Sequence, residues 1–384
     1  MSINLEEPMI RIPPHTRNLK PYKAGKPIEE LAREKKLSRI VKLASNENPL
    51  GTSPKALAAL ADVSSSVALH RYVDPASADL VLKLAEKTGR APDEIICGHG
   101  TDALLAYIIN AFTVEGDEIL TSRGTFIGIY VSINKLARVV KQVPLKDYAF
   151  DLNALLDAIS DSTRIIYLAN PNNPTGTMFT ADEFESFMAG VPRDVLVILD
   201  EAYWTYAGDR PDYPDGLRYH YENLIVTRTL SKAYGLAGLR VGFAVGPEYL
   251  IHELYKVRLP FEPNELAQIA AMAALDDDEF LERTVRTNRM SLKVIQSRLD
   301  ELGIPYVPTA ANFIMMVMPS EEFAATFFQE CLNRGLIVRH LVSFGIPNAV
   351  RINSGTKDET EFAMDIVKDV YHKLSKKLQI EKTT

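Results

Sequence analysis

Residues 195–203 read VLVILDEAY. Val195 to Leu199 are five consecutive apolar side chains with no polar face, the pattern of a strand covered on both sides. The run stops at Asp200, so a carboxylate stands where a buried strand ends. It is poorly solvated there and needs a partner or a task; the plainer alternative is a helix cap. Working outward, the same grammar recurs. Arg164–Ala169 is apolar and runs into NPNNPTG at 170–176. Leu224–Thr227 is followed by RTLSKAYGLAGLR at 228–240. Ile95–Cys97 leads through Gly98 and His99 into Asp102–Phe112, where Ala103, Leu104, Tyr107, Ile108 and Ala111 recur at helical spacing. Strands alternating with helices predict α/β layers around a mostly parallel sheet.

The flanks differ. Pro8, Pro13, Pro14, Pro21 and Pro27 interrupt the first 45 residues, leaving room for one short helix at Ile28–Lys36. Beyond about residue 285, long helical patterns flank short strands at Phe313–Val317, Ile337–Val338 and Ala349–Ile352, which predicts a smaller α+β domain. The expected division is an arm with the start of the small domain over 1–45, a large domain over 46–285 and a small domain over 286–384.

The chain has 384 residues, 43 basic and 50 acidic, for a net charge of −7. Its charges are interspersed and form no polybasic stripe, which argues against a nucleic-acid or anionic-membrane partner. Cys97 and Cys331 are too few for a disulfide framework or a four-thiolate zinc site. The seven histidines lack a paired metal-ligand spacing, so no metal is expected. There is no GxSxG elbow for a serine nucleophile. No apolar run approaches a membrane span, and Met1 to Glu7 carries two acids and no apolar core, so neither an anchor nor a signal peptide is expected and the cytoplasm is the expected location.

Four segments at strand ends carry chemistry, because open parallel sheets bind ligands beyond their strands' carboxyl ends. The turn at Gly98–Asp102 opens a helix whose free N–H groups suit an anion. The Asn/Pro/Gly turn at 170–176 holds amide side chains rigidly. Asp200 ends its strand. Lys232 sits among hydroxyls and small residues rather than on a charged face, with Arg240 eight residues on. Each signal alone is weak. Together they match the needs of pyridoxal phosphate: a lysine for its aldehyde, a carboxylate for its ring nitrogen, donors for its phenolic oxygen, and hydroxyls, an arginine and a helix start for its phosphate.

At these residues the chain resembles the pyridoxal-phosphate-dependent aminotransferases of fold type I, class II, and within them the enzymes acting on histidinol phosphate. The resemblance runs from about Pro21 to Thr356 and is most specific at SNENPLG (45–51), NPNNPTG, Asp200–Tyr203 and RTLSKAYGLAGLR. It implies a large domain with a mostly parallel seven-stranded sheet between helices and a smaller α+β domain. It implies that Lys232 forms the Schiff base with the cofactor and shuttles the proton of transamination. Asp200 would hold the ring nitrogen, and Asn173 and Tyr203 the phenolic oxygen. Thr229, Ser231 and Arg240 would bind the phosphate with Gly100, Thr101 and Asp102. Phe126 would stack on the ring, where tyrosine is common in the subgroup. Tyr72 would reach the neighbouring subunit's cofactor in a homodimer. Arg339 and Arg351 would grip the substrate's anionic end, with Asn173 also at the substrate and Tyr22 closing the site from the arm.

The implied activity is a ping-pong amino transfer between histidinol phosphate and 2-oxoglutarate or glutamate. Aromatic amino acids are the alternative donors, and a related decarboxylase is a further alternative. His340, the Asn353-Ser354 pair and Glu262-Pro263 depart from the subgroup's pattern near the expected substrate pocket.

Overall fold

The structure, a computed structural model, describes residues 10–19, 28–63 and 70–383, with side chains to residue 377. Strands follow the chain as β1 (Val41–Lys42), β2 (Ile95–Gly98), β3 (Glu118–Ser122), β4 (Val139–Val143), β5 (Thr163–Ala169), β6 (Leu196–Asp200), β7 (Leu224–Thr229) and β8 (Gly242–Val245). Then come β9 (Tyr306–Val307), β10 (Phe313–Val317), β11 (Leu336–Ile337), β12 (Arg339–His340) and β13 (Ala349–Asn353).

Seven strands form one sheet in the order β2-β8-β7-β6-β5-β3-β4. Neighbours run parallel except around β8, which is antiparallel to both β2 and β7. The expected mostly parallel, seven-stranded sheet is therefore present. Its central strands are buried along their whole length, which is why their sequences read as unbroken apolar runs. Helices Gly100–Phe112, Ala181–Gly190 and Glu248–Val257 are among those covering the sheet, and its largest core cluster joins β2, β3 and β5–β8 to them. Local chemistry sets their starts. Thr180 and Glu183 form a reciprocal capping box, and Asn264 caps Glu265–Leu275 by accepting from the Ala267 N–H.

A second core cluster packs β10, β13, β1 and β11 against helices Asp278–Leu302, Glu321–Asn333 and Lys357–Thr383. Its four-stranded antiparallel sheet has the order β12-β13-β10-β9. β1, from the early chain, pairs in parallel with β11, so residues 41–44 lie beside the carboxy-terminal unit. The helix Asp278–Leu302 runs unbroken through residue 285.

Two local readings differ from the sequence pattern. The apolar run ending at Val338 splits: Leu336–Ile337 pairs with β1, whereas Arg339–His340 pairs with β13. A second helix, Pro14–Asn18, lies in the proline-rich arm, with Pro14 in its first turn, where a missing N–H costs nothing. No helix among the described residues is long and apolar enough to cross a membrane.

Candidate active site

The register of the large sheet brings the site together. Ala169 pairs with Asp200 and Asp200 with Thr227, so β5, β6 and β7 end side by side. Segments leaving these ends line one cleft with Ala44–Asn46, Thr101, Asp102 and Phe126, and with Arg339, Phe344 and Arg351 from the second unit.

Lys232 faces this cleft and its Nζ donates to the Ser45 carbonyl at 3.2 Å. Burial, with the positive charge of Arg351 adding to it, pushes its ammonium down to about 8. Asp200 is 4% exposed. Its Oδ2 accepts from the Tyr167 hydroxyl at 2.7 Å and its Oδ1 from the Ala202 N–H at 3.1 Å. Burial lifts its carboxyl to about 6 against the pull of these two donors. Tyr203 is buried, accepts from Asn46 Nδ2 at 2.7 Å and packs edge-on against Phe313. Because Asn46 supplies the donor in that bond, the Tyr203 proton remains available to another acceptor.

At the other end, Arg240 donates to Ser231 Oγ at 3.5 Å and to Asp102 Oδ2 at 3.3 Å. Thr229 Oγ1 accepts from the Ser231 N–H at 3.1 Å. Gly100 has φ +77°, and a Cβ there would lie 2.6 Å from Arg240 Nη2, so the absence of a side chain makes room for the guanidinium. Helix Gly100–Phe112 begins at this point, bringing its unpaired N–H groups to the same cluster.

Arg339 and Arg351 are cross-strand partners on β12 and β13. The Arg351 guanidinium donates to Asn173 Oδ1 and, at 2.9 Å, to the Ala44 carbonyl, and lies 5.0 Å from the Phe313 ring centroid. Arg339 contacts Ser343 Oγ at 3.5 Å. Phe344 lies against both guanidiniums, 5.9 Å from Arg339 and 5.7 Å from Arg351.

Of the residues singled out from sequence, Thr101, Asp102, Phe126, Asn173, Asp200, Tyr203, Thr229, Ser231, Lys232, Arg240, Arg339 and Arg351 line this cleft. Tyr72 does not line it. It is 83% exposed and stacks on Phe261 at 4.3 Å. Tyr22 lies outside the described residues. Sequence reasoning missed Asn46, Tyr167 and Phe344. Asn46 stood inside a quoted motif without a role. Tyr167 was visible as a phenol within an otherwise apolar buried run. Phe344 carried no signal, because only the fold brings it between the arginines. Asn353, one of the departures from the subgroup pattern, accepts from the Asn46 N–H at 3.1 Å and so ties β13 to the cleft wall.

The donor set fits pyridoxal phosphate. Asp200 is a buried carboxylate whose side-chain contacts are neutral donors, with no ion pair among the described residues, so it suits a cationic ring nitrogen. Hydroxyls, a guanidinium and a helix start at the opposite end suit a phosphate.

Comparison with known proteins agrees with this chemistry. The model of the family "Aminotransferase class I and II" matches residues 38–367. The chain is 42% identical over 341 residues to histidinol-phosphate aminotransferase 2 of Carboxydothermus hydrogenoformans, covering 88% of this chain and 93% of that protein. It is similar in structure to the histidinol-phosphate aminotransferase of Sinorhizobium meliloti, solved in complex with pyridoxal 5'-phosphate: TM-score 0.87, 26% identity, 96% of this chain and 99% of that one. A Thermus thermophilus aspartate aminotransferase solved with maleate shares the fold at TM-score 0.80 and 22% identity, over 94% of this chain and all of that one.

Proposed function

The chain belongs to the class I and II aminotransferase family, and from that premise we propose that it uses pyridoxal phosphate to move an amino group between histidinol phosphate and 2-oxoglutarate or glutamate, in a ping-pong exchange. When bound, the cofactor supplies an aldehyde that captures amino groups and a cationic ring that withdraws electrons from the α-carbon. Asp200 would hold the ring nitrogen. Tyr203 and Asn173 would hold the phenolic oxygen, and Phe126, on the same cleft, would pack against the ring. Thr229, Ser231, Arg240 and the Gly100–Asp102 turn would hold the phosphate. Lys232 would anchor the cofactor through its amine, and its Nζ would take up and return the substrate's α-proton, a role suited to an amine whose ammonium is pushed down to about 8.

Arg339 and Arg351 bind the anionic end of either substrate, since a guanidinium fork suits phosphate and carboxylate alike. Their cross-strand pairing on the wall of the cleft that holds Lys232 is the observation that carries this reading. The choice of histidinol phosphate is supported by the 42% identity to a protein of that name. We further propose a homodimer in which exposed Tyr72 reaches the neighbour's cofactor phosphate, a large unit over about 46–285, a small unit formed by the chain's two ends, Tyr22 closing the site, and a cytoplasmic location.

The test is a comparison of kcat/KM on histidinol phosphate and on phenylalanine with 2-oxoglutarate as acceptor. A large preference for histidinol phosphate is expected, and a preference for phenylalanine would overturn the substrate assignment. Release of carbon dioxide without a keto or aldehyde product would overturn amino transfer itself.

A further inference from the structure

Tyr167 stands in the middle of β5, fully buried and flanked by aliphatic residues. Burying a phenol is costly unless its hydroxyl is paired. Here the hydroxyl crosses to the neighbouring strand and donates to Asp200 Oδ2 at 2.7 Å. The strand is held from its other side, where Thr121 Oγ1 donates to the Tyr167 carbonyl at 2.8 Å. Asp200 also receives the Ala202 N–H on Oδ1, has the Thr227 hydroxyl as a further neighbour favouring its charged form, and makes no ion pair among the described residues. The carboxylate is thus held from behind by neutral donors, of which the Tyr167 hydroxyl makes the shortest bond, while the group still lines the cleft. A hydroxyl bonds an ionised carboxylate more strongly than a neutral acid, so this contact favours the charged form and fixes its orientation.

We propose that Tyr167 is a positioning residue that keeps the Asp200 carboxylate ionised and aimed at the cofactor's ring nitrogen. The proposal rests on the reading of Asp200 given above. Tyr167 is not among the residues lining the cleft, so it would act through Asp200, and the ring nitrogen's proton would be held only as well as that carboxylate is charged.

The experiment uses the full-length protein as wild type, Tyr167→Phe, Asp200→Asn and the double variant. It measures pyridoxal phosphate affinity of the cofactor-free protein by equilibrium dialysis, the absorbance spectrum of the loaded protein, and kcat and KM. Tyr167→Phe is expected to weaken cofactor affinity and lower kcat by about tenfold to a hundredfold, the loss of one buried charge-assisted hydrogen bond, while KM for the amino donor changes little. In the Asp200→Asn background the same change is expected to add almost nothing, because an amide has no charge to stabilise. A ring-fluorinated tyrosine at 167, a stronger donor of nearly the same shape, is expected to tighten cofactor binding. Equal losses from Tyr167→Phe in both backgrounds, or unaltered affinity and kcat in the single variant, overturn the proposal. So does a fluorinated protein that shifts in the same direction as the phenylalanine variant. If Asp200→Asn alone leaves affinity, spectrum and kcat at wild-type values, the reading of Asp200 fails first, and the proposal falls with it.

Discussion

At the scale of single residues, Lys232 and Arg351 are electrostatically linked, because burial and the Arg351 charge both disfavour the ammonium. In the cofactor-free protein the neutral amine accumulates as pH rises through about 8. The rate of pyridoxal phosphate capture should rise through that point in a stopped-flow pH series. Arg351→Gln should move the midpoint upward, since removing a positive neighbour makes protonation easier. The same depression has a stability consequence. Between about 8 and the ordinary lysine value of 10.5, the unfolded chain holds this proton and the folded chain does not. This group's contribution to stability therefore rises with pH across that window, and Arg351→Gln should flatten the rise in denaturant melts of the cofactor-free protein. Lys232 and Asp200 were legible in the sequence because each sits in a motif whose neighbours state its surroundings. Tyr167 and Asn46 were not, because their partners lie 33 and 157 positions away and are chosen by strand register and by packing between the two units.

At the scale of elements, the ends of β6 and β7 are clamped by a buried charge cluster directly behind the cleft. Arg228 donates to Glu201 Oε2 at 2.8 Å and to Asp215, and stacks over Trp204 at 4.0 Å. Glu201 is fully buried, and burial raises its carboxyl above the ordinary range despite Arg228 and the Gly216 N–H. Arg228→Met would strand that carboxylate, so a loss of about 3–5 kcal/mol is expected in urea unfolding. The loop after β7 is seated just as tightly. Gly235 has φ +70°, and a Cβ there would lie 2.1 Å from the Gly51 carbonyl oxygen. Gly235→Ala should cost about 2–4 kcal/mol and weaken cofactor binding, read by thermal melts and dialysis, because Lys232 rides on the same loop. The apolar central strands β5, β6 and β7 could be read from sequence, being covered on both faces. β4 could not: it is an edge strand with a mostly solvent-facing surface, VVKQV, and resembles a loop in composition. β8, at four residues, is too short to show a period.

At the scale of the whole molecule, the proposed dimer makes a quantitative demand. Lys232→Ala removes a subunit's own amine, whereas on this proposal Tyr72→Ala would remove what that subunit lends its neighbour. Each variant alone should be nearly inactive. A mixed dimer carries one site with both groups intact, so randomly reassorted subunits should recover about a quarter of wild-type activity. No recovery on mixing, with exchange verified by mass, would exclude a shared site. The α/β class and the small second unit followed from alternation and texture in the sequence. The boundary between them did not show as a linker, because the helix Asp278–Leu302 passes from one unit toward the other without a break. The cleft also closes the chain on itself. Arg351 holds the Ala44 carbonyl, and Asn353 holds the Asn46 N–H, each across 307 positions. Neither bond can exist until the segment after residue 350 has docked against the early chain, and contacts so distant in sequence are costly in loop-closure entropy. Labour is thus divided along the chain: one that stopped before residue 351 would keep the cleft residues between 101 and 240 but lose the guanidinium and amide that complete the wall at Ala44 and Asn46.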